Sequence, residues 1–373
     1  MNRRLRDPMA FPYRSASFIL SILIVARSFA AETDWIDADT LQVEGRVFEN
    51  RASTWDRLPA EAEQVVRAPV WSLSRHSAGI VIRFATDSPS VSVRWRLGDA
   101  KLAMPHMPAT GVSGVDLYGR TADGWRWAAC GRPEGIENSR RLVGDLPVGN
   151  RDWMLYLPLY NGVESVEIGV ESGHDVRSLP PRERPVVFYG TSITHGACAS
   201  RPGMTHVAIL GRRLDHPVVN LGFSGNGRLE PEVGRFLNRI DASVFVLDCL
   251  PNLDGAATEA RTIPMVRQIR SAHPEVPIVL VEDRTYADAA FAPKRATRNR
   301  ENRDAFRRAY EELVETGVKN LFYVEGDTLL GDDGEATVDG SHPTDLGFMR
   351  QADALEPAIR SALDSSRRDW NEE

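Results

Sequence analysis

Near the C-terminus, Asp339 and His342 stand three residues apart in Val-Asp-Gly-Ser-His-Pro-Thr-Asp, and far upstream Gly190-Thr-Ser-Ile-Thr194 directly follows an apolar run. A hydroxyl becomes a nucleophile only with a base beside it, and an imidazole base needs a carboxylate to hold its tautomer. Ser192, His342 and Asp339 are candidates for these three parts. Histidine changes charge near neutrality, so it can take a proton and return it. Each piece also has a plainer reading: serine is common at helix starts, and an isolated Asp/His pair is about as often a surface carboxylate and a packing ring. Two further turns carry donors. Asn220-Leu-Gly-Phe-Ser-Gly-Asn-Gly227 is glycine-rich, with backbone N–H groups free to face a ligand. Asp248-Cys-Leu-Pro-Asn252 ends in a side-chain amide behind a rigid proline, although an isolated Asn there is more often a turn former.

The scaffold that must position these residues is legible from the change in hydrophobic period. From Val186 onward, short apolar strands (186–189, 218–221, 244–247, 278–281, 321–324) alternate with helical stretches (205–214, 230–238, 258–272, 298–315, 345–363). Strict alternation with strands apolar throughout predicts a parallel sheet covered by helices on both faces. Ligands of such sheets bind beyond the C-terminal strand ends, and every candidate residue above lies at such an end. Before Pro180 the period is two: residues 79–84, 91–97, 114–118, 125–127, 154–157 and 163–170 alternate apolar and polar between Gly, Pro, Asp and Asn, which predicts an antiparallel β-sandwich. Leu179-Pro-Pro-Arg-Glu-Arg-Pro185 reads as a stiff linker, since consecutive prolines forbid helix. The expected organisation is a leader over 1–31, a sandwich over 32–178, the linker over 179–185 and an α/β domain over 186–373.

The 373 residues and 42% hydrophobic content suffice for two cores. A formal net charge of -7 with interspersed signs gives no electrostatic case for a nucleic-acid partner. Arg3, Arg4, Arg6 and Arg14 precede the apolar run Phe18 to Val25, and Ser28 and Ala30 supply small residues for cleavage, the three parts of an export signal in order. The run is too short to span a bilayer, so the expected location is periplasmic or extracellular. Cys130, Cys198 and Cys249 are an odd set that leaves at least one thiol free. Their spacing and that of the eight histidines fit no metal-ligand pattern, so neither metal nor cofactor is expected.

Taken in this order, the residues resemble the SGNH (GDSL-type) hydrolase family. Its block I serine falls on Ser192, its block II glycine on Gly225, its block III asparagine on Asn252, and its block V Asp-x-x-His on Asp339 and His342. Gly114-Val-Asp-Leu-Tyr118 also resembles the Gly-x-Asp-Leu-Tyr signature of an N-terminal domain that accompanies one bacterial branch. The departures are Gly-Thr-Ser-Ile in block I and Leu-Pro-Asn-Leu in block III, which keeps the amide donor but loses its flanking Gly and Asp. The resemblance implies a flavodoxin-like catalytic sheet behind a jelly-roll-like sandwich, and acyl transfer without a cofactor. Ser192 is then the nucleophile, His342 the base and Asp339 its orienter, with an oxyanion hole from the Ser192 and Gly225 amides and the Asn252 side chain. His195, Arg201 and Arg284 sit at the crevice end as weaker candidates for substrate contact. The basic cluster Lys294, Arg295, Arg298, Arg300, Arg303, Arg307 and Arg308 reads as a solvated helix face rather than an attractor of an acidic glycan, and the sandwich tryptophans as core rather than sugar platform. Asp116 and Tyr118 share one strand face and read as structural, supporting each other or a domain contact. The expected activity is an exported esterase that removes small acyl groups, acetyl among them, from a carbohydrate. The alternatives are a lipase- or lysophospholipase-like esterase and a noncatalytic glycan-binding protein on the same scaffold.

Overall fold

In the first half, β-branched and aromatic residues alternate with polar ones, and each alternating run is a strand with one face inward. The computed structural model describes residues 32–371, with side chains through residue 366, so the expected export leader lies outside the described residues. In chain order the elements are β1 (Thr33–Asp37), β2 (Gln42–Glu44), α1 (Ala68–Ser74), β3 (Val81–Thr86), β4 (Val91–Leu97), the single turn α2 (Ala109–Val112), β5 (Val115–Thr121), β6 (Gly124–Gly131), β7 (Glu137–Val143), β8 (Arg151–Tyr156), β9 (Val163–Glu171) and β10 (Val176–Ser178). They form two antiparallel sheets, β1-β9-β4-β7 and β10-β3-β8-β5-β6, with β2 added on β3. Strand β4 turns Val91, Val93, Trp95 and Leu97 inward, where they meet Phe84, Leu117 and Leu155 of the facing sheet. This is the expected sandwich. Strands β1, β2, β7 and β10 and both helices escaped the sequence reading, because they are short or, in β7, nearly all polar.

In the second half, β11 (Val186–Gly190), α3 (Ser192–His195), α4 (His206–Arg213), β12 (Val218–Gly222), α5 (Pro231–Leu237), β13 (Val244–Asp248), α6 (Gly255–Ala272), β14 (Ile278–Val281), α7 (Pro293–Glu315), β15 (Leu321–Val324) and α8 (Asp345–Asn371) follow in alternation. The five strands are parallel in the order β12-β11-β13-β14-β15, and β11, β12, β13 and β14 are buried along their whole length. The chain reverses direction across the sheet at β11, so the crevice at its C-terminal end is the natural ligand site. No described helix is long and apolar enough to cross a membrane.

Not all of the first half serves the sandwich. Phe48, Leu58, Val66 and Val70, each at most 7% exposed, pack instead against Phe223, Leu229, Val233 and Phe236 of the α/β half, completing the core on one face of the parallel sheet. Residues 179–185 are also fastened: Arg182 donates two hydrogen bonds to the Glu44 carboxylate, at 2.8 and 2.6 Å, and one to Asp215 at 3.1 Å. Thr33–Glu373 accordingly forms one compact unit.

Candidate active site

The apolar strand β11 ends at Gly190, and Thr191 caps the short helix α3 by accepting the Ile193 N–H on its hydroxyl. Ser192 is the first helical residue, so its own N–H has no acceptor within the helix and faces the crevice end. Ser192 and His342 stand 150 positions apart in sequence but meet in space: Ser192 Oγ lies 2.8 Å from His342 Nε2. His342 Nδ1 lies 2.8 Å from Asp339 Oδ2. The other carboxylate oxygen accepts the backbone N–H groups of Ser341 at 3.0 Å and His342 at 2.8 Å. This closed loop orients the carboxylate before any substrate arrives. Partial burial acts to raise the Asp339 carboxyl, but the hydrogen bonds from His342 and Ser341 outweigh it and hold the group at about 2. An ionised Asp339 keeps the proton on Nδ1 and leaves Nε2 as an acceptor for the Ser192 hydroxyl.

The glycine turn after β12 lies alongside. Gly225 has φ +68, a conformation L side chains rarely adopt. Gly227 lies so close to β11 that a Cβ there would stand 1.8 Å from the Gly190 carbonyl oxygen. The turn is pinned by Asn226 and Gly227 N–H groups donating to Phe223 O, each at 2.8 Å. Asn252 donates one amide hydrogen to Gly227 O at 3.1 Å, and its second hydrogen remains for a ligand. The lost Gly and Asp around Asn252 are replaced by a brace from α7. Arg298 donates to Pro251 O at 2.9 Å and also to Leu253 O, while Asn302 reaches Leu250 O at 3.1 Å and Leu253 O at 3.0 Å.

The same brace serves the histidine loop. Asp283, fully buried, accepts from Arg298 at 3.2 Å and Asn299 at 3.0 Å and pairs with Arg284. Arg284 in turn bonds the Ser341 hydroxyl. Arg284 is 3% exposed, so the expectation of substrate contact is corrected: it anchors the loop that carries Asp339 and His342. The solvated-face reading of α7 holds for Arg300, Arg307 and Arg308, which are exposed, but not for Arg298 and Arg303, which are partly buried and pair with Asp283 and Asp327. His195 is likewise not on the rim. It is fully buried, its Nε2 sits 2.7 Å from Leu159 O, and its ring stacks on Tyr160 at 4.1 Å. Burial, then the charge of Arg57, pushes it well below the usual histidine range. Arg201 is a tie between the halves, with Nη1 2.6 Å from Asp116 and 2.5 Å from the Tyr118 hydroxyl. Asp116 also accepts the Gly203 N–H and the Trp127 indole N–H, each at 2.9 Å. The Asp-Leu-Tyr signature therefore grips the loop that follows helix α3, which carries Ser192.

Two contributors had no motif to reveal them. Arg57, 1% exposed and with no carboxylate among the described residues on its guanidinium, donates to Leu73 O, His76 O, Asn220 O and Gly222 O at 2.6 to 3.0 Å. It ties the sandwich half to the strand end that leads into the Gly225 turn, and burial lowers it to about 9. Tyr160 donates its hydroxyl to the Ser192 carbonyl at 3.4 Å. All three cysteines are free thiols; Cys198 is pushed up to about 12 by burial and the nearby charge of Asp339.

A parallel α/β sheet with a serine, histidine and aspartate joined at its C-terminal end, behind an antiparallel sandwich, is the architecture of an SGNH-type hydrolase. Residues 183–360 match the GDSL-like lipase/acylhydrolase family, and residues 33–176 match the N-terminus of SGNH hydrolase-type esterases. A candidate GDSL-like lipase from Bacteroides ovatus superposes with a TM-score of 0.85 at 34% identity, over 89% of this chain and 98% of that one. The chain belongs to the GDSL-like lipase/acylhydrolase family and is an esterase. More distant structures share the fold. A salicylyl-acyltransferase of a tetracycline biosynthetic pathway gives a TM-score of 0.72 at 20% identity, over 88% and 97% of the two chains. A family two carbohydrate esterase from Cellvibrio japonicus gives 0.61 at 14%, over 90% and 99%. No curated protein is detectably similar to the chain.

Proposed function

We propose that this protein is an exported serine esterase that removes small acyl groups, acetyl foremost, from a carbohydrate. The observation that carries the catalytic part is the unbroken chain from Ser192 Oγ through the His342 ring to Asp339, with both links at 2.8 Å. Ser192 Oγ attacks the ester carbonyl as His342 Nε2 takes its proton, and Asp339 stabilises the imidazolium that results. The negative oxygen of the tetrahedral intermediate accepts from the Ser192 and Gly225 N–H groups and the free hydrogen of Asn252, and losing one such donor raises the barrier by roughly 3 to 4 kcal/mol. The imidazolium then protonates the departing sugar oxygen, and water enters by the same base to release the acid. The carbohydrate assignment is supported by the fold shared with family two carbohydrate esterases and by a sandwich that walls the crevice. Export is supported by the order of charged, apolar and small residues over 1–31.

The test is turnover of purified protein on 4-nitrophenyl esters of increasing chain length and on acetylated saccharides. Ser192→Ala should fold and lose turnover, and a fluorophosphonate should modify wild type at Ser192 alone. An Ala variant with substantial activity refutes the nucleophile, and saturable glycan binding without turnover in either form would establish a binding protein instead.

A further inference from the structure

A cleft of about 450 Å³ runs between the sandwich half and the crevice end of the parallel sheet. One wall is α1, with Ser72 and Leu73, together with the 98–108 loop, which supplies Asp99, Lys101 and Met104. The other is Tyr160 and the two residues that flank Gly225, Ser224 and Asn226. The cleft adjoins the reaction centre without being lined by Ser192, His342 or Asp339: Tyr160 in its wall reaches the Ser192 carbonyl, and His106, of the same 98–108 loop, lies with its ring centroid 6.4 Å from that of His342.

The walls are fixed to one another. Arg57 holds Leu73 and His76 on one side and Asn220 and Gly222 on the other. Arg67 donates to Asn226 Oδ1 at 2.7 Å and to Asn226 O at 3.1 Å, and it pairs with Glu230. A site of this size with walls already tied is the usual form of a small-molecule pocket.

Its chemistry is that of a polyol site. Ser72, Ser224 and Asn226 both donate and accept, Asp99 accepts and Lys101 donates, whereas Leu73, Met104 and the Tyr160 ring offer apolar surface. The charges of Asp99 and Lys101 cancel. His76, which also lines the cleft, is lowered to about 4 by burial and by Arg57, so its ring is neutral. An acidic group finds no net countercharge here. A long alkyl chain would strip water from the polar side chains without giving them partners, at a cost of roughly 1 to 3 kcal/mol for each group left unpaired. A ring with hydroxyls on its edge and C–H groups on its face satisfies both kinds of surface.

We propose that this cleft is the subsite for the alcohol half of the ester and that it takes a neutral sugar ring, so that the first half of the chain reads the substrate that the second half cleaves. This rests on the esterase reading above, and the experiment separates the two. Initial rates are measured on 4-nitrophenyl acetate, 4-nitrophenyl octanoate and xylose tetraacetate for wild type, Ser72→Trp and Lys101→Ala. Ser72 is exposed on α1, so the indole fills the cleft from its rim. The quantity read is kcat/KM on the sugar acetate divided by kcat/KM on the aryl acetate. Ser72→Trp should lower this ratio by about tenfold or more through KM, and Lys101→Ala by about 2- to 10-fold, the worth of one hydrogen bond.

Wild type inactive on the aryl acetate would sink the esterase reading and the subsite with it. Wild type active on aryl acetate but on no sugar acetate would overturn the sugar assignment alone. Equal losses on both acetates, or a selective loss on the octanoate, would overturn the alcohol subsite, the latter by placing the acyl half in the cleft.

Discussion

Asp116→Ala tests whether the Asp-Leu-Tyr signature is a clamp between the two halves. The carboxylate is fully buried and accepts from Arg201, the Gly203 N–H and the Trp127 indole at 2.6 to 2.9 Å. Burial acts to raise its pKa and does so in spite of Arg201, the mark of a carboxylate held at a desolvation cost. Truncation leaves the Gly203 N–H orphaned in the interior and Arg201 beside an apolar hole; breaking such a pair costs about 3 to 5 kcal/mol, within which the orphaned amide is about 1 to 3. Trp127, half exposed, can turn to water and adds little. A loss of about 4 kcal/mol, at roughly 2.1 cal/mol/K of unfolding entropy per residue over the 340 or so residues of the folded unit, lowers Tm by about 6 °C. Calorimetry and urea titration of Asp116→Ala, Arg201→Met and the double variant measure both the loss and its coupling. The double variant should be less destabilised than the sum of the singles by about 1 kcal/mol or more. A single-variant loss under about 1 kcal/mol with additive behaviour would mean that the signature is not a clamp, whatever its geometry.

Three further outcomes follow from the site. Asp339→Asn places a donor or a neutral acceptor against Nδ1, so kcat on 4-nitrophenyl acetate should fall by about 10²-fold or more while KM barely moves; a change under tenfold would remove Asp339 from the mechanism. Asp248, buried beneath α3 and bonded by Thr194 at 3.1 Å, is raised from 3.8 to about 7 by burial, against the Thr194 hydrogen bond. A raised carboxyl favours the folded state fully below its unfolded value and loses that advantage as pH rises through about 7. Asp248→Asn should therefore gain stability relative to wild type between pH 4 and 8, by up to about 4 kcal/mol; parallel urea curves at both pH values would refute this. A chain truncated to start at Arg184 should be insoluble or aggregate, because it bares Phe223, Leu229, Val233 and Phe236; a soluble, two-state fragment would contradict the packing.

The sequence exposed what is periodic or chemically typed. Alternation at period two outlined the sandwich, continuous apolar runs gave all five parallel strands, and a serine after a strand with Asp-x-x-His far downstream marked residues that converge within hydrogen-bond distance. Burial of charge was invisible to it. His195, Arg201 and Arg284 lie at strand ends or just beyond, which placed them at the crevice by position, but position along the chain does not say which way a side chain turns. Their distant partners, Leu159 O, Asp116 and Ser341, are 36, 85 and 57 residues away, so no local rule joins them. Residues 46–73 escaped for a related reason: Phe48, Leu58, Val66 and Val70 follow neither period cleanly, and the core they complete belongs to the other half.

That last feature bears on why the two halves occur together. Asn252 and Gly225 sit on turns that cannot hold themselves: the first lacks its flanking glycine and acid, the second is a glycine in a left-handed conformation with open space around it. Rigidity must then come from outside each turn, since catalytic donors are worth their full effect only when they need no reorganisation. For the Asn252 turn it comes from α7 through Arg298 and Asn302. For the strand end that feeds the Gly225 turn it comes from Arg57 and Arg67 of the first half. A buried guanidinium that spends its hydrogens on four backbone carbonyls would be a poor way to gain stability alone, because burial of the charge opposes most of what the bonds return. Its geometry makes sense as a constraint. On the proposed mechanism, the first half thus sets the position of one oxyanion donor as well as the wall beside it, which would tie substrate reading and transition-state binding to the same few contacts.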